Sequence, residues 1–233
     1  MLEVCVDSAA GLEAAVAGGA DRIELCSALS LGGLTPSAGL MAQAGGVLPP
    51  VMAMIRPRAG DFVYSERDLE TMASDIGTAR QSGLSGVVLG ASRPDGGLDL
   101  PVLGRLLRLA EGMDVTLHRC FDLVPDMGEA LEQAIRLGFR RILTSGGEGT
   151  AEAGAARIAE LVARAAGRIS IMPGSGVTPA NAGMLKGLGI AEIHASCSVS
   201  TGMSGKLVEL GFVPPVMRHT APELVRALRK TLE

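Results

Sequence analysis

The stretch LEVCVDSAAGLEAAVAGGADRIELC, residues 2–26, contains two short strand-like segments separated by an Ala-rich, helix-like segment. In both strand-like segments, Leu2–Val6 and Arg22–Cys26, apolar residues alternate with charged or sulfur-containing ones. Because side chains on a strand alternate between its two faces, each strand has one apolar face and one face that carries charge or sulfur. A strand, a helix and a second strand in this order predict a parallel βαβ unit.

The same unit recurs along the whole chain. The predicted strands are Leu2–Val6, Arg22–Cys26, Val51–Arg56, Gly86–Gly90, Val115–His118, Arg141–Ser145, Ile169–Pro173 and Ala191–Ser196. The predicted helices that follow them are Ala9–Ala17, Ser37–Gly45, Glu66–Ser82, Leu100–Glu111, Met127–Leu137, Ala151–Ala166, Pro179–Gly187 and Pro222–Leu232. Eight such units predict an α/β fold, a single-domain (β/α)8 TIM barrel over residues 1–233. The segment 198–220 is less regular, and we expect a long loop there with a short helix.

An open, doubly wound sheet is the rival arrangement. The central strands of such a sheet are covered on both faces and are apolar throughout. Several strands here instead place polar side chains such as Glu24, Thr116 and His194 on one face. Those faces are explained if they converge on a barrel axis while the apolar faces contact the outer helices. The alternation therefore favours the closed barrel.

Composition and charge exclude several classes of partner. The net charge is −4, basic residues do not cluster, and aromatic residues are scarce (no Trp, one Tyr, four Phe), which argues against nucleic-acid binding. The start Met1-Leu2-Glu3-Val4 resembles a first strand and not an export signal. The apolar run Val47–Ile55 contains Pro49 and Pro50 and is too short to span a membrane. We therefore expect a cytoplasmic protein with no membrane partner, and its four cysteines to be free thiols.

Charged side chains on the inward strand faces are the first candidates for a functional site. A charge inside a barrel is costly unless it is paired, so these residues should form one connected network. Such networks are frequently only structural, but the carboxyl ends of barrel strands are also where barrel enzymes build their sites. The inward charged or titratable residues are Glu3, Glu24, Arg56, Glu192 and His194.

Two of the three histidines, His118 and His194, end predicted strands at the expected mouth of the barrel. Histidine in that position suits acid–base work, although a single histidine is more often a core residue. We interpret Glu24, Arg56, His118 and His194 as candidate catalytic residues. The histidines do not follow a His-Glu-x-x-His spacing, so zinc catalysis is not indicated.

Anion binding is predicted at the same end of the barrel. Arg56 and Arg58 follow the third strand and could clamp a carboxylate or phosphate, with Arg58 as a solvated loop charge being the alternative. The segment 174–176, Gly174-Ser175-Gly176, follows the seventh strand, and Ser196 ends the eighth. Loops after strands seven and eight commonly hold phosphate in this architecture, but a tight turn also requires glycine.

Cys5 and Cys26 both point inward, on neighbouring strands. Two thiols with the Met54 thioether and an imidazole nearby form a soft ligand set, which suits Cu(I). The alternative is that both cysteines are small apolar core residues.

Eight distinctive motifs follow one another along the chain: LEVCVDS (2–8), GGADRIELCSAL (18–29), GGLTPS (32–37), IRPRAGDFVYS (55–65), TLHRCFD (116–122), RILTSG (141–146), IMPGSGV (171–177) and EIHAS (192–196). With these motifs the chain resembles the CutC copper-homeostasis family through to Ser196. The resemblance implies a cytoplasmic barrel that forms homo-oligomers and binds Cu(I) through Cys5 and Cys26. Cys120 stands where the family usually has Ala, and residues 204–208, SGKLV, depart from the family's pattern.

Two functions follow from the sequence, and both stay open at this point. The first is a Cu(I)-binding homeostasis protein. The second is a TIM-barrel enzyme, of isomerase or lyase type, that acts on a small phosphorylated or carboxylated substrate at the barrel mouth. A barrel used only as an interaction scaffold would leave the polar interior unexplained.

Overall fold

The structure is a computed structural model that describes residues 1–233. Eight parallel strands form one sheet in the order β7-β6-β5-β4-β3-β2-β1-β8. No hydrogen bonds join β7 to β8, but the two lie side by side, so the sheet curls into a nearly closed barrel and the predicted fold is confirmed. The strands are β1 (Leu2–Val6), β2 (Arg22–Leu25), β3 (Val51–Met54), β4 (Gly86–Leu89), β5 (Asp114–Leu117), β6 (Arg141–Thr144), β7 (Ser170–Pro173) and β8 (Ile193–Ala195).

Helices cover the outside of the barrel, and six of them begin at a Ser, Thr or Asp residue. The Ser65 hydroxyl accepts a hydrogen bond from the Asp68 backbone N–H while the Asp68 carboxylate accepts from the Ser65 N–H, which closes a capping box. None of the helices combines the length and the apolar character that crossing a membrane requires. The helices are α1 (Ala9–Gly18), α2 (Ala38–Ala44), α3 (Glu66–Gln81), α4 (Leu100–Leu109), α5 (Met127–Leu137), α6 (Ala155–Ala165), α7 (Pro179–Lys186), α8 (Lys206–Glu209) and α9 (Pro222–Leu232).

The sixth helix begins four residues later than the sequence predicts, at Ala155 instead of Ala151. The intervening residues are held by neighbouring loops: the Ala151 N–H bonds the Ser175 carbonyl, and Gly154 lies so close to the Ser145 carbonyl that a side chain would collide with it. Tertiary contacts therefore override the local helix propensity of this Ala-rich segment.

The segment 198–220 is not the predicted loop. It forms an antiparallel hairpin of β9 (Ser198–Gly202) and β10 (Val216–Thr220), with α8 as the expected short helix between them. His219, which falls within this predicted loop, instead pairs with Val199 across the hairpin. The two strands are polar and lie 13 residues apart, so no short turn signal marks the hairpin.

Strand register brings the inward side chains to common levels. Glu3 lies beside Arg22 on one neighbouring strand and beside His194 on the other, and Cys5 lies beside Glu24. At the amino-terminal end of the barrel, Arg22 pairs with Glu3 and with Glu192, at 2.5 Å from the latter. Two acids of the predicted network, Glu3 and Glu192, are therefore joined through Arg22.

Arg141 supplies the second cation of this network. Its guanidinium lies 2.8 Å from Asp114 and 3.1 Å from Glu192, and it also donates to Thr116 Oγ1. Arg56, which the sequence placed in the network, hydrogen-bonds backbone carbonyls instead. Arg22 and Arg141 begin their strands, and both pair with Glu192 at the amino-terminal end of the barrel.

The adjacent arginines Arg140 and Arg141 provide a matched test of this network. We expect Arg141→Met to lower the free energy of unfolding by about 3 kcal/mol, because it removes a buried cation that pairs with both Asp114 and Glu192 and leaves Glu192 with Arg22 alone. Arg140→Met should cause no measurable change, since Arg140 is 74% exposed and 3.9 Å from Asp114. Urea denaturation measures both, and equal effects would contradict the assignment.

Candidate functional site

A cavity of about 700 Å³ opens at the carboxyl ends of the strands. This volume is typical of sites that hold a small molecule. Its walls come from both the barrel interior and the hairpin, so the hairpin forms part of the mouth. The lining residues that enter the chemistry below are Cys5, Glu24, Met54, Arg56, Phe62, His118, Arg119, Ser175, Gly176, His194, Ser196, Cys197 and Arg218.

Glu3 connects the floor of this cavity to the ion network beneath it. One carboxylate oxygen of Glu3 pairs with Arg22, and the other lies 2.8 Å from His194 Nδ1. Glu3 is fully buried, and His194 is 8% exposed. The bond from Glu3 fixes the orientation of the His194 ring and leaves its Nε2 facing Glu24, whose Oε2 lies 3.8 Å away.

The charges of Glu3 and His194 stabilise each other. Burial alone would raise the pKa of Glu3, but the hydrogen bond from His194 and the charge of Arg22 outweigh it and lower this pKa from 4.5 to about 2. Burial would lower the pKa of His194, but Cys5, Glu24 and Glu3 raise it well above 6.5. The contribution of Glu3 to stability is therefore present above pH 4.5 and is lost as the pH falls toward 2.

Glu24 is a buried carboxyl group with one unsatisfied oxygen. It is 3% exposed, its Oε2 accepts a hydrogen bond from the Cys26 thiol at 3.4 Å, and its Oε1 has no partner in the protein. Leaving a buried acceptor unsatisfied costs about 1–3 kcal/mol. Burial raises the pKa of Glu24 above its ordinary value. These properties suit a group that accepts a proton from a bound molecule.

His118 lies in a different environment from His194. Its Nδ1 accepts a hydrogen bond from the Cys120 N–H at 3.2 Å, and its ring packs against Phe62 with centroids 4.8 Å apart. Burial and the charge of Arg56 lower the pKa of His118 to about 3, so the ring is neutral at physiological pH. Because Nδ1 is an acceptor, the ring proton resides on Nε2, which has no partner in the protein.

The two arginines predicted to clamp an anion are both engaged by the protein itself. Arg56 lines the cavity and donates to the carbonyls of Leu31, Gly33 and Gly60, while its guanidinium stacks over Phe62. It thereby ties the loops after β2 and β3 together. Arg58 does not line the cavity, and its guanidinium pairs with Asp61 and Asp68. The clamp stays a prediction: at Arg58 an anion would compete with Asp61 and Asp68, whereas Arg56 Nε has no partner in the protein.

The predicted anion-binding loops lie at the cavity wall. Ser175 and Gly176 line it, with the Ser175 hydroxyl donating to a backbone carbonyl. Gly174 does not line the cavity, and a Cβ there would require the end of the Leu143 side chain to move. Ser196 lines the cavity and hydrogen-bonds the Ser198 hydroxyl at 2.9 Å.

Sequence reasoning missed Arg119 and Arg218 at this wall. Arg218 lies on β10, opposite Ser200, and reaches the cavity only because the hairpin folds over the mouth. Arg119 follows His118 and donates to Asp122 and Ser145. Its position directly after a strand end was visible in the sequence, whereas nothing marked Arg218.

The two candidate metal ligands occupy different positions. The Cys5 sulfur, a Glu24 oxygen and a His194 nitrogen all lie within 4.8 Å of one another. Cys26 is fully buried and does not line the cavity; its sulfur packs with Met52, Met54 and Val88. Cys5 therefore faces the site directly, and Cys26 reaches it only through its hydrogen bond to Glu24.

Nitrogen-15 NMR of the histidine side chains tests the opposite charge states of His118 and His194. At pH 7 we expect His194 to be a doubly protonated imidazolium and His118 to be neutral with its proton on Nε2. Lowering the pH to 5 should leave His118 neutral, because its pKa is about 3. Glu3→Gln should lower the pKa of His194, since it removes the paired negative charge. A neutral His194 in the wild type would contradict this electrostatic arrangement.

Comparison with known proteins places these residues in a family context. The model of the CutC family matches residues 1–199. A CutC family protein from Sinorhizobium medicae is 60% identical over 235 residues, covering 100% of this chain and 96% of the relative, and one from Caulobacter vibrioides is 54% identical, covering 98% and 97%. The solved structure of a copper homeostasis protein CutC from Streptococcus agalactiae is 32% identical, with a TM-score of 0.80, and covers 84% of this chain and 98% of that one.

Proposed function

The chain belongs to the CutC family, and we propose that this member is an enzyme that carries out acid–base chemistry on a small polar molecule in its barrel mouth. One observation carries the proposal. A buried carboxyl group with a free oxygen, Glu24, faces a histidine that Glu3 holds in its charged form, and both line a cavity of about 700 Å³. A structural network alone needs no unsatisfied oxygen and no cavity of this size.

Glu24 and His194 have complementary roles in this proposal. Glu24 accepts a proton from the substrate through Oε1, and its raised pKa brings the carboxyl group closer to the pH at which proton transfer is efficient. His194 carries the positive charge that stabilises negative charge as it develops, and its Nε2 can donate a proton. Glu3 is a positioning residue, because it fixes the His194 ring through Nδ1.

The upper wall of the cavity suits an anionic group on the substrate. Arg218 and the Ser175–Gly176 turn lie at the wall near the start of α7, where backbone N–H groups are available. The proposed substrate is therefore a small molecule that carries a phosphate or a carboxylate at the end directed toward this wall.

Proton NMR of substrate mixtures tests the proposed activity. Purified protein is incubated with mixtures of small phosphorylated sugars, hydroxy acids and oxo acids, and consumption of each compound is followed. We expect one chemical class to be consumed, and Glu24→Gln to slow this at least ~100-fold because the proton acceptor is lost. The control Glu160→Gln, on the outer face of α6, should behave as wild type since its side chain is 65% exposed.

Two results would contradict the enzymatic proposal. One is turnover that survives Glu24→Gln. The other is a complete lack of turnover together with no rise in melting temperature for any compound of the panel.

Cu(I) binding is the second candidate function, and the position of Cys5 favours it. Its sulfur adjoins Glu24 and His194 within 4.8 Å, and Cys26 and Met54 belong to one buried cluster on the neighbouring strands. The fit is partial. Thiolate and thioether sulfurs suit Cu(I), whereas the carboxylate oxygen of Glu24 does not. Binding would also require Cys26 to lose a proton that burial holds firmly, since its pKa lies well above 9.

Titration with Cu(I) in competition with a chromogenic chelator tests this second function. If Cys5 and Cys26 hold the ion, one equivalent should bind tightly, and Cys5→Ser or Cys26→Ser should each abolish that binding. Cys197→Ser is the matched control, because Cys197 lines the same cavity but lies outside the cluster. Equal loss in all three variants, or retention in the two test variants, would reject the site.

A further inference from the structure

We infer that His118 acts as a neutral hydrogen-bond donor to a carbonyl oxygen, which makes the substrate an aldehyde, ketone or oxo acid. The inference rests on the proposed function and deepens it by naming the substrate class. It also changes the role that the sequence suggested for His118, from a general acid or base to a polarising donor.

The geometry of the His118 ring carries the inference. His118 directly follows β5, is 3% exposed and lines the cavity. Its Nδ1 is occupied by the Cys120 N–H, so the neutral ring must present an N–H at Nε2. That donor has no partner in the protein. A buried N–H without an acceptor is uncommon in folded proteins and is expected to meet a ligand or water.

The surroundings keep this ring in place and uncharged. The His118 ring packs closely against Gly90, where an added Cβ would lie 2.5 Å from His118 Cε1. Phe62 packs against the His118 ring with the two centroids 4.8 Å apart, and the Arg56 guanidinium stacks over the Phe62 ring. Protonation of His118 would place a second positive charge near Arg56 at a buried position, which is unfavourable. The ring is therefore a fixed dipole and not a titrating group at neutral pH.

A neutral donor and a carboxylate in one cavity suit proton abstraction beside a carbonyl group. Glu24 takes the proton from the adjacent carbon as that C–H bond breaks. The bonding electrons form a carbon–carbon double bond, and the carbonyl electrons move to the oxygen, which the Nε2 hydrogen of His118 stabilises. Reversal returns a proton from Glu24 to carbon, so the cycle needs no oxidant or reductant.

Deuterium exchange in D2O tests the inference with two pairs of probes. Dihydroxyacetone phosphate and pyruvate contain a carbonyl group, whereas glycerol 3-phosphate and lactate are their counterparts without it. We expect wild type to incorporate deuterium next to the carbonyl of at least one of the first pair. His118→Asn should slow this at least ~100-fold, mainly through kcat, because the donor acts most strongly on the developing negative charge.

His118→Asn is chosen because it keeps the local fold. His118 caps the 3-10 turn Arg119–Leu123 by accepting from the Cys120 N–H, and asparagine can make the same cap while lacking the distant N–H. Binding is read independently from the His118 Nε2–H resonance of the wild type. This resonance should shift with dihydroxyacetone phosphate and not with glycerol 3-phosphate.

The outcomes separate this inference from the proposed function. Exchange that is unchanged in His118→Asn, or equal resonance shifts with both members of a probe pair, overturns the inference. Glu24-dependent turnover confined to compounds without a carbonyl group also overturns it, but leaves the proposed function standing. Exchange that persists in Glu24→Gln contradicts the proposed function instead.

Discussion

The buried carboxylate of Glu3 is the interaction on which the rest of the barrel interior depends. A charge inside a protein must be paired, and Glu3 meets this requirement with one oxygen on Arg22 and the other on His194. Arg22 is in turn paired with Glu192, which also pairs with Arg141. The ion pairs at the amino-terminal end of the barrel and the charge of His194 at the mouth therefore belong to one network.

This network gives the two histidines of the mouth opposite charge states. His194 is surrounded by Cys5, Glu24 and Glu3, which favour the imidazolium. His118 has no acid beside it and lies near Arg56 and Phe62, which favours the neutral ring. A charged and a neutral imidazole in one cavity provide two different kinds of donor, and the unsatisfied oxygen of Glu24 provides an acceptor. Pairs of groups with divergent pKa values are typical of acid–base sites.

The enzymatic and metal-binding proposals use overlapping residues, and the donor types separate them. The groups nearest to Cys5 are a carboxylate and an imidazole, which form a mixed set and not a purely soft one. A second thiol, Cys26, does not line the cavity and donates a hydrogen bond to Glu24. Membership of the CutC family fits a relation to copper, while the shape of the cavity and its free polar atoms are better matched to a small molecule.

The sequence by itself determined the barrel, the inward faces of its strands and most of the acids and histidines at its centre, because alternation along a strand assigns each side chain to one face. It could not assign partners. Only the tertiary structure showed that Arg141 and not Arg56 completes the ion network, since register and side-chain reach decide which charges meet. It also showed that the hairpin 198–220 brings Arg218 to the mouth, because pairing between distant strands leaves no local signal. The tertiary structure also separates Cys26 from Cys5. Both side chains face inward, but the strand register places them at different heights along the axis.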